Sequence, residues 1–336
     1  MFGFVRSTHV ARNDHAACSG CSLCLLVCPV WRSTHDLRLT PHGRAKALQH
    51  GATIEEITPA IQACTLCGAC EPVCPENIGL TGMIEALRRE SRLPGSAVVD
   101  KLQACMDVET TRPHTAPHAA TNVWLPGLAL RKQPALLARI GALLGNARRM
   151  ATGDDDGSDI AQALEIGVAV PPQRLERFLA GLRQVKTIIV ADGLLFRHLR
   201  RWLPNANIVS LGVALSGLPD LRRRLRSDDL YVIEPRTYHA DYETLVKYYD
   251  RLRVEADCAF NLDLQRIAIP AGARSLPQYL GLATPAGADQ VRWILQGRQI
   301  ARIVLENEDD RAAFEQASAL PVVHLAQVAG DEQGLS

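Results

Sequence analysis

Eight of the ten cysteines in this 336-residue chain fall into two short runs, Cys18, Cys21, Cys24 and Cys28, then Cys64, Cys67, Cys70 and Cys74. Each run has the form C-x2-C-x2-C-x3-C-P, closed by Pro29 and by Pro75. Thiolates at this spacing wrap an iron–sulfur cubane: three from one loop reach three irons, and the fourth commonly serves a neighbouring cubane. The spacing therefore assigns Cys18, Cys21, Cys24 and Cys74 to a first [4Fe–4S] cluster, and Cys28, Cys64, Cys67 and Cys70 to a second. Structural zinc takes two separated C-x2-4-C pairs, and disulfides belong to oxidising compartments; neither fits bunched triplets followed by a fourth cysteine and a proline. All-cysteine clusters move single electrons and bind no substrate themselves, so no catalytic residue is assigned. Gly20, Gly68 and nearby amides are placed to hydrogen-bond the sulfurs. Cys105 and Cys258 stand alone and read as small buried hydrophobes.

The elements that must position these loops are helical. Thr40 can N-cap, Pro41 suits the first helical position and Gly51 can end that helix. Thr58-Pro59 repeats the start signal, and Thr81 can cap a helix with the apolar stripe Met83, Ile84 and Leu87. This predicts an α-rich domain over residues 1–110. Residues 112–153 contain no acid and are broken by Pro113, Pro117, Pro126 and Pro134, so 111–158 reads as a linker carrying a basic amphipathic helix at 134–150. Leu136, Leu137, Ile140, Leu143 and Leu144 share its apolar face, apart from Arg139, Arg148 and Arg149; it either packs between domains or docks on a partner or an anionic membrane. The acidic stretch 154–159 reads as a solvated loop and lacks the glutamate a calcium loop needs. Over 159–336, β-branched runs at 187–191, 207–211, 229–234, 266–269, 302–306 and 321–325 alternate with helical stretches, which predicts a Rossmann-like, mostly parallel α/β domain.

Composition narrows the function. A net charge of +1 and 5% aromatics argue against nucleic acid as a partner. The start, with Arg6 and Arg12, has no apolar run of a secretory signal, and residues 123–144 are interrupted by Arg131, Lys132 and Arg139. A cytoplasmic protein is expected, with any contact at the inner membrane peripheral and made through partners. No G-x-G-x-x-G follows a strand; Asp192-Gly193 is too little for a dinucleotide fingerprint. Residues 270–274, ending at Arg274, read as an ordinary turn rather than an anion cradle. Arg222, Arg223, Arg224 and Arg226 read as a solvated face, and Tyr238, Tyr242, Tyr248 and Tyr249 as core or interface. His239 has no partner in sequence.

The long gap between Cys28 and Cys64 and the Cys74–Ile78 ending CPENI resemble the helical dicluster ferredoxin domain found in the ferredoxin-like subunit of heterodisulfide reductase. The iron–sulfur subunits of glycolate oxidase and of anaerobic glycerol-3-phosphate dehydrogenase are similar. The resemblance covers about a quarter of the chain, and implies a multidomain α+β protein: an N-terminal α-helical ferredoxin domain, then the α/β domain. It implies an electron-transfer subunit with two [4Fe–4S] clusters, working between a flavoprotein dehydrogenase or electron-transfer flavoprotein and a second acceptor such as quinone. Those families add domains with a Cys-Cys-Gly signature; this chain has no adjacent cysteine pair, so its α/β part reads as a degenerate relic or an unrelated docking domain. Two alternatives stand beside the carrier: a catalytic site in the α/β domain fed by the clusters, and an interaction module whose clusters are structural.

Overall fold

The computed structural model describes residues 15–91, 97–112, 121–271, 276 and 287–328. Arg6, Arg12, Pro113, Pro117 and residues 272–274 of the expected turn lie outside them.

Residues flanking the cysteines set the helices between the loops. α1 (Leu23–Val27) lies within the first run and α2 (Pro29–Thr34) begins on its closing proline. α3 (Pro41–Gln49) is capped by Thr40, whose hydroxyl accepts from Gly43 N at 3.1 Å, and α4 (Thr58–Ala63) delivers the chain to Cys64. Proline at a first turn gives up only an N–H with no helical partner. α5 (Leu80–Glu90) starts before Thr81, whose amide donates to Glu71 Oε1 at 2.8 Å instead of leaving the helix start to a local cap. α6 (Ala97–Thr111) follows, with Cys105 exposed rather than buried.

The α/β part is built twice. β1 (Asn122–Leu125), α7 (Gly127–Arg131), α8 (Pro134–Arg148), β2 (Ala151–Thr152), α9 (Ser158–Ile166), α10 (Pro172–Leu182), β3 (Thr187–Val190), α11 (Gly193–Trp202) and β4 (Asn207–Ser210) make a parallel sheet ordered β2-β1-β3-β4. α12 (Leu211–Ser216) and α13 (Pro219–Arg222) lead into the second unit. There β5 (Asp229–Val232), α14 (Pro235–Ala240), α15 (Tyr242–Ala256), β6 (Ala259–Phe260), α16 (Gly287–Leu295), β7 (Arg302–Leu305), α17 (Arg311–Ala317) and β8 (Val322–His324) repeat the order as β6-β5-β7-β8. Parallel registers such as Val123 with Ile188 and Leu230 with Ile303 align the central strands.

Alternation along the strands divides the core. Trp124 and Ile189 of the first sheet and Tyr231 and Val304 of the second share one core with Leu136, Ile140 and Leu144 of α8. The opposite face of the first sheet, Val123, Leu125, Ile188 and Val190, packs with Ile57, Ile61, Leu66 and Ile84 of the cysteine-bearing region. The helical and α/β parts are thus joined by a continuous core.

Three further expectations change. From Asn122 on, the expected linker is sheet and helix of the first α/β unit, because β1 is an inner strand. Residues 266–269 supply only an isolated antiparallel bridge, Leu262 with Ala268; the strand lies earlier, at β6. The acidic stretch is only partly solvated: Asp154 is exposed, but buried Asp156 accepts from Gly127 N, and buried Arg174 binds Asp155 and Asp159. The basic helix spends two arginines on carbonyls of its neighbours, Arg139 on Ala326 and Arg148 on Ala214. Among the described residues no helix is long and apolar enough to cross a membrane.

Just past β7, buried Glu306 accepts from Tyr231 OH at 2.6 Å, Tyr249 OH at 2.7 Å and Glu234 N at 3.0 Å. Burial outweighs these donors and raises its carboxyl to about 7. A carboxyl raised on folding stabilises the protonated native state, so that contribution is lost as pH rises from the ordinary glutamate range through 7. Glu306→Gln, which keeps an acceptor oxygen, is expected to match the parent near pH 4 and to exceed it by about 1–3 kcal/mol at pH 8. Anaerobic denaturant titrations across that range measure the difference.

Candidate metal centre

The fold gathers the eight thiols into two groups. Burial, reinforced by the charges of Cys18, Cys21 and Cys74, pushes Cys24 up to about 11. Burial also raises Cys28 to about 11 and Cys67 to about 12, with Cys64 adding to both. Cys70 is driven well above the ordinary thiol range by burial, then by Glu71 and by Cys67, Cys64 and Cys28. Cys28, Cys64, Cys67 and Cys70 also line one small cavity. The thiols that act on one another thus cross the two runs, Cys74 on Cys24 and Cys28 on Cys67 and Cys70. Thiols raised this far cannot ionise together near neutrality unless a cation sits among them.

All ten cysteines are free. Among the described residues, no three His, Cys, Asp or Glu side chains converge tightly enough to share one metal ion. Tetrahedral zinc demands such convergence, whereas a cubane distributes its thiolates over four irons and accepts wider spacing. The donor set therefore fits iron–sulfur cubanes better than a single ion.

The two loops share an unusual backbone. Positive φ angles fall at Gly20 (84°) and Ser22 (66°) in the first, and at Leu66 (54°) and Gly68 (76°) in the second, the same two places in each motif. Left-handed residues in such turns aim successive amides to one side, which suits an anion. Ser22 and Leu66 bear this conformation with a side chain at a cost of about 1 kcal/mol each. Ser22 Oγ meets His42 Nδ1 at 3.2 Å, and Leu66 is locked in the core.

A shell of buried cations surrounds the second group. Arg88 donates to the carbonyl oxygen of Cys64, and Arg236 Nη2 to that of Thr65 at 2.6 Å, while Glu165 accepts from both guanidinium groups. Arg44, 2% exposed, lines the cavity and donates to Leu39 O and Ala60 O, each at 2.9 Å. Arg197 Nη1 binds Glu71 at 2.7 Å; its buried Nη2 has no hydrogen-bond partner. His239 Nδ1 donates to Cys67 O at 2.7 Å, and burial lowers its pKa to about 4, so the ring is neutral. The first group has a lighter shell: Lys46 Nζ donates to Cys18 O at 3.3 Å, Gln49 Nε2 to the same oxygen at 2.9 Å, and Cys21 is exposed.

Residues 14–78 match the 4Fe-4S dicluster domain. This stretch holds both cysteine runs and stops short of β1, so the α/β units lie outside it. Neither curated proteins nor solved structures gave a match. The dicluster domain supports [4Fe–4S] clusters and suggests an electron-transfer role. Sequence reasoning passed over Arg44, Arg88, Arg197 and Arg236, and found no partner for His239. Their contacts to the dicluster loops span up to 172 residues, and no local signal marks them.

Gly68 tests how tightly this shell closes. A Cβ there would lie 2.8 Å from Arg197 Nη2 and 3.1 Å from His239 Cβ, whereas one at Gly51, with φ +87°, would meet nothing within 4 Å. Gly51→Ala should cost only the left-handed strain, about 1–2 kcal/mol. Gly68→Ala should cost more and lower the iron content. Anaerobic thermal unfolding and iron analysis of the two variants give the comparison.

Proposed function

We propose that the chain is an electron-transfer subunit of a larger oxidoreductase, carrying two [4Fe–4S] clusters. Cys18, Cys21, Cys24 and Cys74 hold the first, and Cys28, Cys64, Cys67 and Cys70 the second. Single electrons pass through them between a flavoprotein dehydrogenase or electron-transfer flavoprotein and a second acceptor, with membrane quinone the natural candidate. The observation that supports this reading is that Cys74 acts on Cys24 of the first run while Cys28 acts on Cys67 and Cys70 of the second, the crossing that two adjoining cubanes would use. Exposure of Cys21 gives the first cluster an edge that a partner can approach.

The carrier reading is favoured over a catalytic α/β part by the ends of the strands. In parallel sheets ligands bind at the carboxyl ends of strands and phosphates at the helix starts that follow. Here Asp192 fills the start of α11, accepting from Leu194 N and Leu195 N at 2.9 Å each. Glu234 likewise fills the start of α14, accepting from Arg236 N and Thr237 N. Carboxylates in those places repel an anionic substrate or cofactor.

Anaerobically purified protein is expected to contain about eight irons per chain, to bleach on reduction with dithionite and to pass electrons to dyes without turning over a substrate. An iron content of about four or fewer, or absorbance unchanged by dithionite, overturns the reading.

A further inference from the structure

The two thiol groups lie in unlike electrostatic surroundings, and most of the difference comes from outside the dicluster region. We infer that the α/β part holds the reduction potential of the second cluster above that of the first, so that the exposed cluster is the port and the buried one the resting place of the electron. This rests on the proposed cluster assignment.

Reduction adds one electron to a cluster that is already anionic, and no bond forms or breaks. Burial alone opposes that added charge and lowers the potential; fixed cations and hydrogen bonds favour it and raise the potential. At the second cluster the cations are buried with it, where water screens them little. Arg44 lines its cavity, buried and donating to Leu39 O and Ala60 O. Arg88 and Arg236 donate into the carbonyls of Cys64 and Thr65, and Arg197 stands against Gly68 with an unsatisfied N–H. Of the carboxylates, Glu165 bridges Arg88 and Arg236, Glu71 pairs with Arg197 next to Cys70, and Glu234 lies beside Arg236. Glu165 and Glu234 hold guanidinium groups in place, and Glu71, next in the chain to Cys70, offsets part of the charge of Arg197; the groups facing the carbonyls of Cys64 and Thr65 are the cations themselves.

Two of these cations belong to the α/β part. Arg197 comes from α11 in the first unit and Arg236 from the first turn of α14 in the second. His239 adds a further donor from α14, to Cys67 O. At the first cluster the described cation is Lys46, which also binds Gln49 Oε1 at 2.7 Å, and the exposed Cys21 lets solvent screen it.

An EPR-monitored redox titration of the full chain decides the matter. The parent should show two midpoint potentials. Arg197→Gln and Arg236→Gln should each lower the higher midpoint and leave the lower one unmoved, while Lys46→Gln should lower only the lower one. Arg197→Lys, which keeps the charge, should return the higher midpoint most of the way to the parent value. A single midpoint in the parent, or arginine variants that shift the lower midpoint or neither, overturns the inference even with a full complement of iron. A shortfall of iron in the parent overturns the cluster reading and the inference together. Should Arg236→Gln lose iron, the parent, Arg197→Gln and Lys46→Gln still decide between the two outcomes.

Discussion

Four sulfur anions brought into one dry pocket repel each other, and most of what surrounds these cysteines can be understood as a response to that repulsion. Without a cation, burial and neighbouring thiols keep Cys24, Cys28 and Cys67 protonated to about pH 11 or 12. An iron–sulfur core supplies positive charge in their midst, and the protein supplies donors around them. The left-handed turns at Gly20, Ser22, Leu66 and Gly68 have the backbone form that suits an anion, with local strain at Ser22 and Leu66. Arg44, Arg88, Arg197 and Arg236 add charge that an apolar core would not otherwise tolerate. Buried guanidinium groups are costly unless bonded, and most of these N–H groups meet backbone carbonyls or carboxylates, with Arg44 Nε and Arg197 Nη2 left over.

The duplicated α/β part acquires a role from this arrangement. It presents no open phosphate site at the starts of α11 and α14, because Asp192 and Glu234 already fill them. The same Glu234 that caps α14 also orients the turn carrying Arg236 and His239 onto the second loop. Glu306 accepts the amide of Glu234, so the second sheet, the cap and the cation shell are bonded in series. On the proposed reading the α/β part acts as a counter-charged cover rather than as a reaction chamber.

Much of the architecture could be read from local pattern. The cysteine spacing names the residues, Thr40-Pro41 marks the start of α3, and the β-branched runs mark β3, β4, β5, β7 and β8. The misses have physical causes. β1 is four residues long and lies between prolines in an acid-free stretch that resembled a connector, and β2 and β6 have two residues each, too short for any periodicity. The equal order of the two sheets leaves no trace in motif spacing. The cation shell was illegible for a different reason: Arg88 and Arg236 meet Glu165 across 77 and 71 positions, and Arg197 meets Glu71 across 126. Separately, each of these arginines resembles a solvated surface charge.

The central claim is that each run lends its last cysteine to the other run's cluster. Mössbauer and EPR spectra of Cys74→Ser, beside those of Cys21→Ser and Cys67→Ser, test it most directly. The account predicts that Cys74→Ser perturbs the same cluster as Cys21→Ser and leaves intact the one perturbed by Cys67→Ser. If Cys74→Ser instead alters the signals that Cys67→Ser alters, each run cages its own cluster, and the crossed arrangement is contradicted.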